Sequence, residues 1–386
     1  MRSADATETY FLTLLGHFLT GQTPPASPAD CDWHRLHDLA HSHRLSPLLA
    51  AALPPGTPAA AAGPLQTQAR QRRIRTMVMV ADYAAIRQSF ARANIPLVPL
   101  KGIALAHTVY PSPSMRYFDD LDMLIPQDRG PEALAVLADL GYQPHPNAPA
   151  PEWHHLPPYV HPRHGTMVEL HLDLLRRTGP GWSLPDIWGR LTTAELDGQP
   201  SPVLAPADAL MHAILHGRHN LFHRLATFID IGYLAEAVVK AGQVDLLAEL
   251  AAETGSLQLV GFALAELEAL FGWRPMAAQQ RRFALTPRQR QRLDRLIGWQ
   301  SLDLAQRPEH DGPLARLREA RLTDSWGQTG QYVRHLLFPP AEFVQQTYGA
   351  NGKRKSAGYS RRLLQRARVA LRQFVSDRAK TAHDGR

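Results

Sequence analysis

The sequence predicts an α+β protein: a small mixed β-sheet with packed helices, flanked by helical regions on its N-terminal and C-terminal sides. Three observations predict this. Apolar residues recur at helical spacing through 1–94 and again beyond 206. Between 96 and 174 the pattern switches three times to short strand-like runs. These runs follow one another with helices between them, in the order helix, strand, helix, strand, helix, strand.

Thr7 to Leu19 is apolar and periodic, and Gly21 to Pro28 breaks it. Asp32 caps a second helix that reaches about His43, and Ser46-Pro47 opens a short third one. Pro54 to Pro64 reads as a connector, and Leu65 to Asn94 as one long helix with Arg70, Arg72, Arg73 and Arg75 exposed. Pro96 to Leu100 is a short buried strand, and Ile103 to Tyr110 is helical. Phe118 to Ile125 is the second strand, Pro131 to Leu140 a helix stopped by Gly141, and Thr166 to Leu174 the third strand. Helices return from Pro206 to about Phe271 and from Pro287 to about Leu337. The expected organisation is therefore an N-terminal helical region (1–64), a catalytic α/β domain (65–200), a C-terminal helical domain (201–345) and a tail (346–386).

Composition narrows the function classes. With 386 residues and 44% hydrophobic content, a sizeable core is available. The single cysteine, Cys31, excludes an intramolecular disulfide and Cys-rich zinc sites. No run approaches the ~18 apolar residues of a membrane span, and Met1 to Tyr10 lacks the order of a secretory signal, so a cytoplasmic protein is expected. The net charge of +7 is uneven: Asn351 to Arg386 holds 11 Lys or Arg against Asp377 and Asp384. The body is thus nearly neutral. The basic tail is suited to an anionic partner, or it is a solvated helix docked through the stripe Leu363, Leu364, Ala367, Leu371, Phe374 and Val375.

The chemistry concentrates in Asp119-Asp120-Leu121-Asp122. Residues i and i+2 of a strand share a face, so Asp120 and Asp122 project together while Leu121, Met123 and Ile125 pack on the other side. Asp119 alternates away from Asp120. Two carboxylates this close repel unless a cation lies between them, and hard oxygen donors suit Mg²⁺; two solvated acids at a strand end are the alternative. Three neighbours favour the metal. Lys101-Gly102 ends the preceding strand and opens a helix, where backbone N–H groups and an ammonium can meet a phosphate. Arg116 lies four residues before Asp120 and can clamp phosphate oxygens. Met167 to Asp173 alternates strictly, so a third strand can bring Glu169 beside the aspartates, with His171 and Asp173 on the same face.

The ordered set Leu100-Lys101-Gly102, Tyr110, Arg116, Asp120-Leu121-Asp122, Gly141-Tyr142 and Glu169-Leu170-His171 resembles the uncharacterised nucleotidyltransferase family of the DNA polymerase β-like superfamily. The likeness extends to Asp32-Trp33, Arg224-Leu225, Asp230-Ile231, Phe338-Pro339 and Tyr348-Gly349. It implies a nucleotidyltransferase-like sheet and a transfer of a nucleoside monophosphate from an NTP, such as ATP, to an acceptor. Asp120 and Asp122 would ligate Mg²⁺ or Mn²⁺. Glu169 would bind a second ion or receive the acceptor's proton. Lys101 and Gly102 would hold the triphosphate, supported by Arg116. The acceptor implied is a small-molecule hydroxyl, a peptide or protein side chain, or an RNA end. One departure stands out: the better-studied members of the superfamily carry Gly-Ser or Gly-Gly at the phosphate turn, whereas Ile103 and Ala104 follow Gly102 here. This supports a rival reading, a non-catalytic NTP-sensing or partner-binding module. The 19 histidines include His212, His216, His219 and His223 at helical spacing, either a polar seam, a zinc site, or a cleft wall through His216.

Overall fold

Helix starts are set by side-chain caps. Asp5 accepts from the Glu8 N–H at 2.7 Å and opens α1 (Ala6–Leu19), and Asp32 accepts from the Arg35 N–H at 3.1 Å and opens α2 (Trp33–Ser42). Then come α3 (Ser46–Ala52) and the 34-residue α4 (Ala59–Arg92). The computed structural model describes residues 5–146, 154–174, 182–297, 302 and 313–338. The tail and its apolar stripe, at 346–386, lie outside the described residues. The expected connector is shorter than Pro54 to Pro64, because α4 already begins at Ala59. Alanine has the strongest helix propensity, and Ala61, Ala62 and Leu65 are buried, which outweighs the donor that Pro64 lacks.

The sheet is built by β1 (Val98–Pro99), α5 (Lys101–Thr108), β2 (Asp120–Leu124), α6 (Gly130–Asp139), β3 (Gln143–Pro144), β4 (Tyr159–Val160) and β5 (Met167–His171). Its strand order is β1-β2-β5-β4-β3. β2 and β5 are parallel and every other pairing is antiparallel, so the sheet is mixed. After α7 (Leu184–Gly189), a separate hairpin of β6 (Thr192–Leu196) and β7 (Gln199–Val203) turns through Asp197 and Gly198, at φ of 51° and 70°. The helical part follows: α8 (Pro206–His219), α9 (Leu225–Lys240), α10 (Val244–Glu253), α11 (Leu257–Phe271), α12 (Pro287–Ile297), α13 (Pro313–Ala320) and α14 (Trp326–Leu337). Among the described residues, no helix is long and apolar enough to cross a membrane.

The period of two sorts the sheet's faces. Leu121, Met123, Ile125, Val168 and Leu170 pack with Met79, Tyr83, Ile86 and Phe90 of α4 and with Ala133 and Leu137 of α6. Each such buried side chain contributes roughly 1.5–3 kcal/mol. Leu124, of the opposite parity, joins a second core with Ile214 of α8 and Phe228 of α9. Slipping β2 by one residue would exchange the two sets and bury the aspartates in hydrocarbon, so the core fixes which way they face.

Candidate active site

The β2–β5 register sets Asp120 opposite Met167, Asp122 opposite Glu169 and Leu124 opposite His171. Asp122 and Glu169 are therefore lateral neighbours on one face. The ligand atoms of Asp122, Glu169 and His171 lie within 4.8 Å of one another. Asp120 stands beside this group, one pleat back along β2.

Asp122 is buried, and its Oδ1 accepts from Lys101 Nζ at 3.1 Å and from His171 Nε2 at 2.8 Å. Burial alone would raise its pKa; the Lys101 ammonium and the His171 hydrogen bond reverse this and hold it well below the usual carboxylate range. Burial keeps His171 neutral, so its Nε2–H is the donor to this ionised carboxylate. Burial opposes the charge of Lys101 too, yet Asp122, with Asp120 and Glu169 beyond it, keeps the ammonium protonated above its ordinary range. Asp120 behaves oppositely: burial and the Asp122 charge push it up to about 6. Two carboxylates pushed apart in this way are the expected signature of acids sharing one cation site.

Asp122 and Glu169 bring carboxylate oxygens of the kind Mg²⁺ or Mn²⁺ takes into one cluster with His171, and this cluster fits such an ion; Asp120, the third ligand expected from the sequence, lies outside it. His171 orients Asp122 through Nε2, while its Nδ1 is buried and makes no hydrogen bond among the described residues. The Asp120 shift has a measurable consequence in the metal-free protein. A carboxyl whose pKa rises from 3.8 to about 6 on folding contributes fully below the lower value, and its contribution is lost as pH climbs through the upper one. Asp120→Asn is therefore expected to raise the melting temperature in chelator above pH 6 and to flatten its fall between pH 4 and 6. Coincident melting profiles for the two proteins would contradict this.

Lys101 and Gly102 come from the sharp β1–α5 turn. Lys101 has φ of 42°, a left-handed conformation for a residue with a Cβ, and strain of this kind concentrates at functional sites. No side chain caps the start of α5. A Cβ on Gly102 would lie 2.5 Å from Phe118 Cβ, so glycine is required here by the fold. Gly102→Ala is expected to cost about 1–3 kcal/mol of unfolding free energy, as overpacking does, and denaturant titration would measure it. Ile103 is buried in the sheet core, which explains why no hydroxyl follows the glycine.

Arg116 is committed elsewhere. Its Nε and Nη2 reach Asp230 Oδ1 and Oδ2 of α9 at 2.6 and 2.7 Å, its Nη1 donates to the Tyr117 carbonyl, and Tyr110 donates to Asp230 Oδ1 at 2.7 Å. Burial disfavours the Arg116 charge, and Asp230 overcomes this and holds it strongly protonated. The triad ties the sheet to the helices.

Between the two lies a cavity of about 460 Å³, within the ordinary range for small-ligand sites. Lys101, Gly102, Asp120 and Asp122 form one wall, and His212, His216, Arg224 and Asp230 belong to the other. A family model described as an uncharacterised nucleotidyltransferase matches residues 29–272, a span that includes every one of these side chains. The chain belongs to this family.

The chain also has distant likenesses among solved structures. One is the solution structure of the antibiotic-resistance factor ANT(2'')-Ia, at 14% identity and a TM-score of 0.34, covering 46% of this chain and 95% of that one. Another is the crystal structure of an antigenic nucleotidyltransferase-like protein from Paracoccidioides brasiliensis, at 20% identity and a TM-score of 0.33, covering 54% and 91%. No curated protein matches the chain at a significant level.

The histidine stripe divides. α8 stops at His219, and Leu221 and Phe222 each take φ of 50°, so His223 leaves the helical face. His212, His216 and His223 line the cavity. His219 turns away to Glu319 at 3.3 Å. Burial, then the nearby Lys101 charge, hold His212 and His216 neutral and well below the ordinary range. The four rings do not form a metal site: among the described residues, the one group able to hold an ion is Asp122, Glu169 and His171. Sequence reasoning gave no role to Arg44, which lines the cavity from the turn after α2. A lone arginine in a loop carries no periodic signal.

Proposed function

We propose that the protein is a metal-dependent nucleotidyltransferase that moves a nucleoside monophosphate from an NTP, such as ATP, to a hydroxyl or other acceptor and releases pyrophosphate. The register that places Asp122 against Glu169, beside Asp120 and at the edge of the cavity, is the observation that best supports this. Asp120, Asp122 and Glu169 would hold Mg²⁺ or Mn²⁺, which when bound would supply charge neutralisation for the transfer. The first turn of α5 presents its uncapped N–H groups to the triphosphate, with Gly102 allowing close approach. Lys101, whose Nζ lies 3.1 Å from Asp122, would turn its ammonium toward a phosphate oxygen. His171 keeps Asp122 ionised and oriented. Arg116, paired to Asp230, fixes the wall against which the nucleotide lies. In-line placement of the two substrates then supplies the rest of the rate.

Incubation of the full chain with labelled NTPs and Mg²⁺, followed by pyrophosphate detection across small-metabolite, protein and RNA acceptor pools, tests this. Turnover with any pool supports it. Binding of NTP without turnover in all of them favours a non-catalytic sensor, the reading that Ile103 at the phosphate turn supports. A salt series then sorts the acceptor: an RNA partner, including one held by the basic tail, loses affinity steeply with log salt, whereas a small acceptor does not.

A further inference from the structure

A second cavity, of about 190 Å³, opens beside the first. It is assembled from four separate parts of the chain. Arg44 comes from the turn after α2, Arg72 from α4, Tyr117 and Asp119 from the segment before β2, and Arg224 from the residue that precedes α9. Arg44 and Arg224 line both cavities, so the two are contiguous.

Its charge is unbalanced. Asp119 is the one acid on its lining, against three guanidinium groups. Arg44 reaches it at 3.3 Å, Arg72 at 3.6 Å and the Tyr117 hydroxyl at 2.5 Å. Arg72 stacks over the Tyr117 ring at 4.1 Å, and Arg44 lies 5.3 Å from the same ring. Arg224 has no such partner: its Nε is buried and makes no hydrogen bond among the described residues. Burial and the facing Arg44 both weaken its charge, with only Asp119 and Tyr117 in opposition. A buried guanidinium nitrogen without an acceptor costs free energy, and an anion delivered to this cavity removes that cost.

We propose that Arg44, Arg72 and Arg224 form a phosphate-binding site next to the acidic cluster, which holds a phosphoryl group of a substrate whose reacting end lies at Asp120 and Asp122. A dianion matches the excess of two positive charges, and planar guanidinium forks suit its oxygens. The phosphate belongs either to the polyphosphate tail of the NTP or to a phosphorylated acceptor. That it belongs to a substrate rests on the nucleotidyl transfer proposed above; anion binding by itself does not.

Isothermal titration of the full chain in chelator, with inorganic phosphate, pyrophosphate and tripolyphosphate as probes, tests the site. At least one of these is expected to bind. Arg224→Gln is expected to weaken it by at least about tenfold, since a charge-assisted pair is lost, and Arg224→Lys by less. Arg72→Gln, on the exposed side of α4, serves as a second variant in case Arg224→Gln does not fold. Arg73→Gln, an exposed cation of the same helix that lines neither cavity, is expected to leave the affinity within about twofold. Absence of binding by all three probes overturns the proposal, as does binding that is unchanged in both Arg224→Gln and Arg72→Gln. The source follows from a competition arm. If a non-hydrolysable ATP analogue excludes the probe, the site takes the NTP tail; if probe and analogue bind together, it takes the acceptor. Anion binding without pyrophosphate release in any assay would sink the transfer reading alone.

Discussion

Asp122→Asn is expected to lower pyrophosphate release by about a thousandfold or more while the protein stays folded. The magnitude follows from the several kcal/mol that bound cations supply to such a transfer, at 1.36 kcal/mol per tenfold. Asparagine keeps the shape and can still accept from Lys101 and His171, but it loses the charge that holds both in place. Asp122→Ala is the harsher variant, because it removes the acceptor of both donors at once. Lys101 retains Asp120 and Glu169 nearby, so the ammonium is not abandoned. Circular dichroism and denaturant titration separate the two effects, and metal titration should show weakened Mg²⁺ or Mn²⁺ binding in Asp122→Asn. An Asn variant with full turnover would remove Asp122 from the proposed chemistry altogether.

The second large effect is on stability. Asp230→Ala is expected to cost about 3–5 kcal/mol of unfolding free energy, the usual penalty for breaking a mostly buried ion pair by deleting one partner. Three donors converge on Asp230: two guanidinium nitrogens of Arg116 and the Tyr110 hydroxyl. Deleting the acid strands a buried cation between the sheet and α9. Tyr110→Phe removes one hydrogen bond and should cost about 1 kcal/mol. A double-mutant cycle between positions 110 and 230 should therefore show coupling, because both residues serve one network. If Asp230→Ala unfolds at the same denaturant midpoint as the wild type, the triad does not tie the sheet to the helices in solution. Since Arg116 and Asp230 both line the cavity, a folded Asp230 variant is also expected to bind NTP more weakly.

Much of the site was legible because strand periodicity is strict. Asp120-Leu121-Asp122 and Glu169-Leu170-His171 each declare two faces, and the core obeyed that alternation. The start of α2 at Asp32 carried its cap in the sequence, whereas the Asp5 cap of α1 came only from the structure. The β6–β7 hairpin was missed although its Asp197-Gly198 turn is the ordinary signal for a two-residue hairpin loop; prolines at 200 and 202 in β7 masked the strand. β3 and β4, at two residues each, are too short to have a period at all.

Arg116 shows where local reasoning runs out. Its spacing from Asp120 suggested a phosphate clamp, but its partner lies 114 residues further on, in α9. The same holds for Arg44 and Arg224, which meet only because the turn after α2 and the start of α9 close on one another; His43, next in the chain, accepts there from the Leu225 N–H at 3.2 Å. The sequence by itself determined what is local: where helices begin, which side of each strand is polar, and that three carboxylates could share a face. Tertiary structure alone decided which strand pairs with which, what Lys101 and Arg116 hold, and which cations surround the acids. The reason is physical. Periodicity and capping act within a turn or two of the chain, whereas a charged side chain takes the partner that the packing of distant elements leaves within its reach.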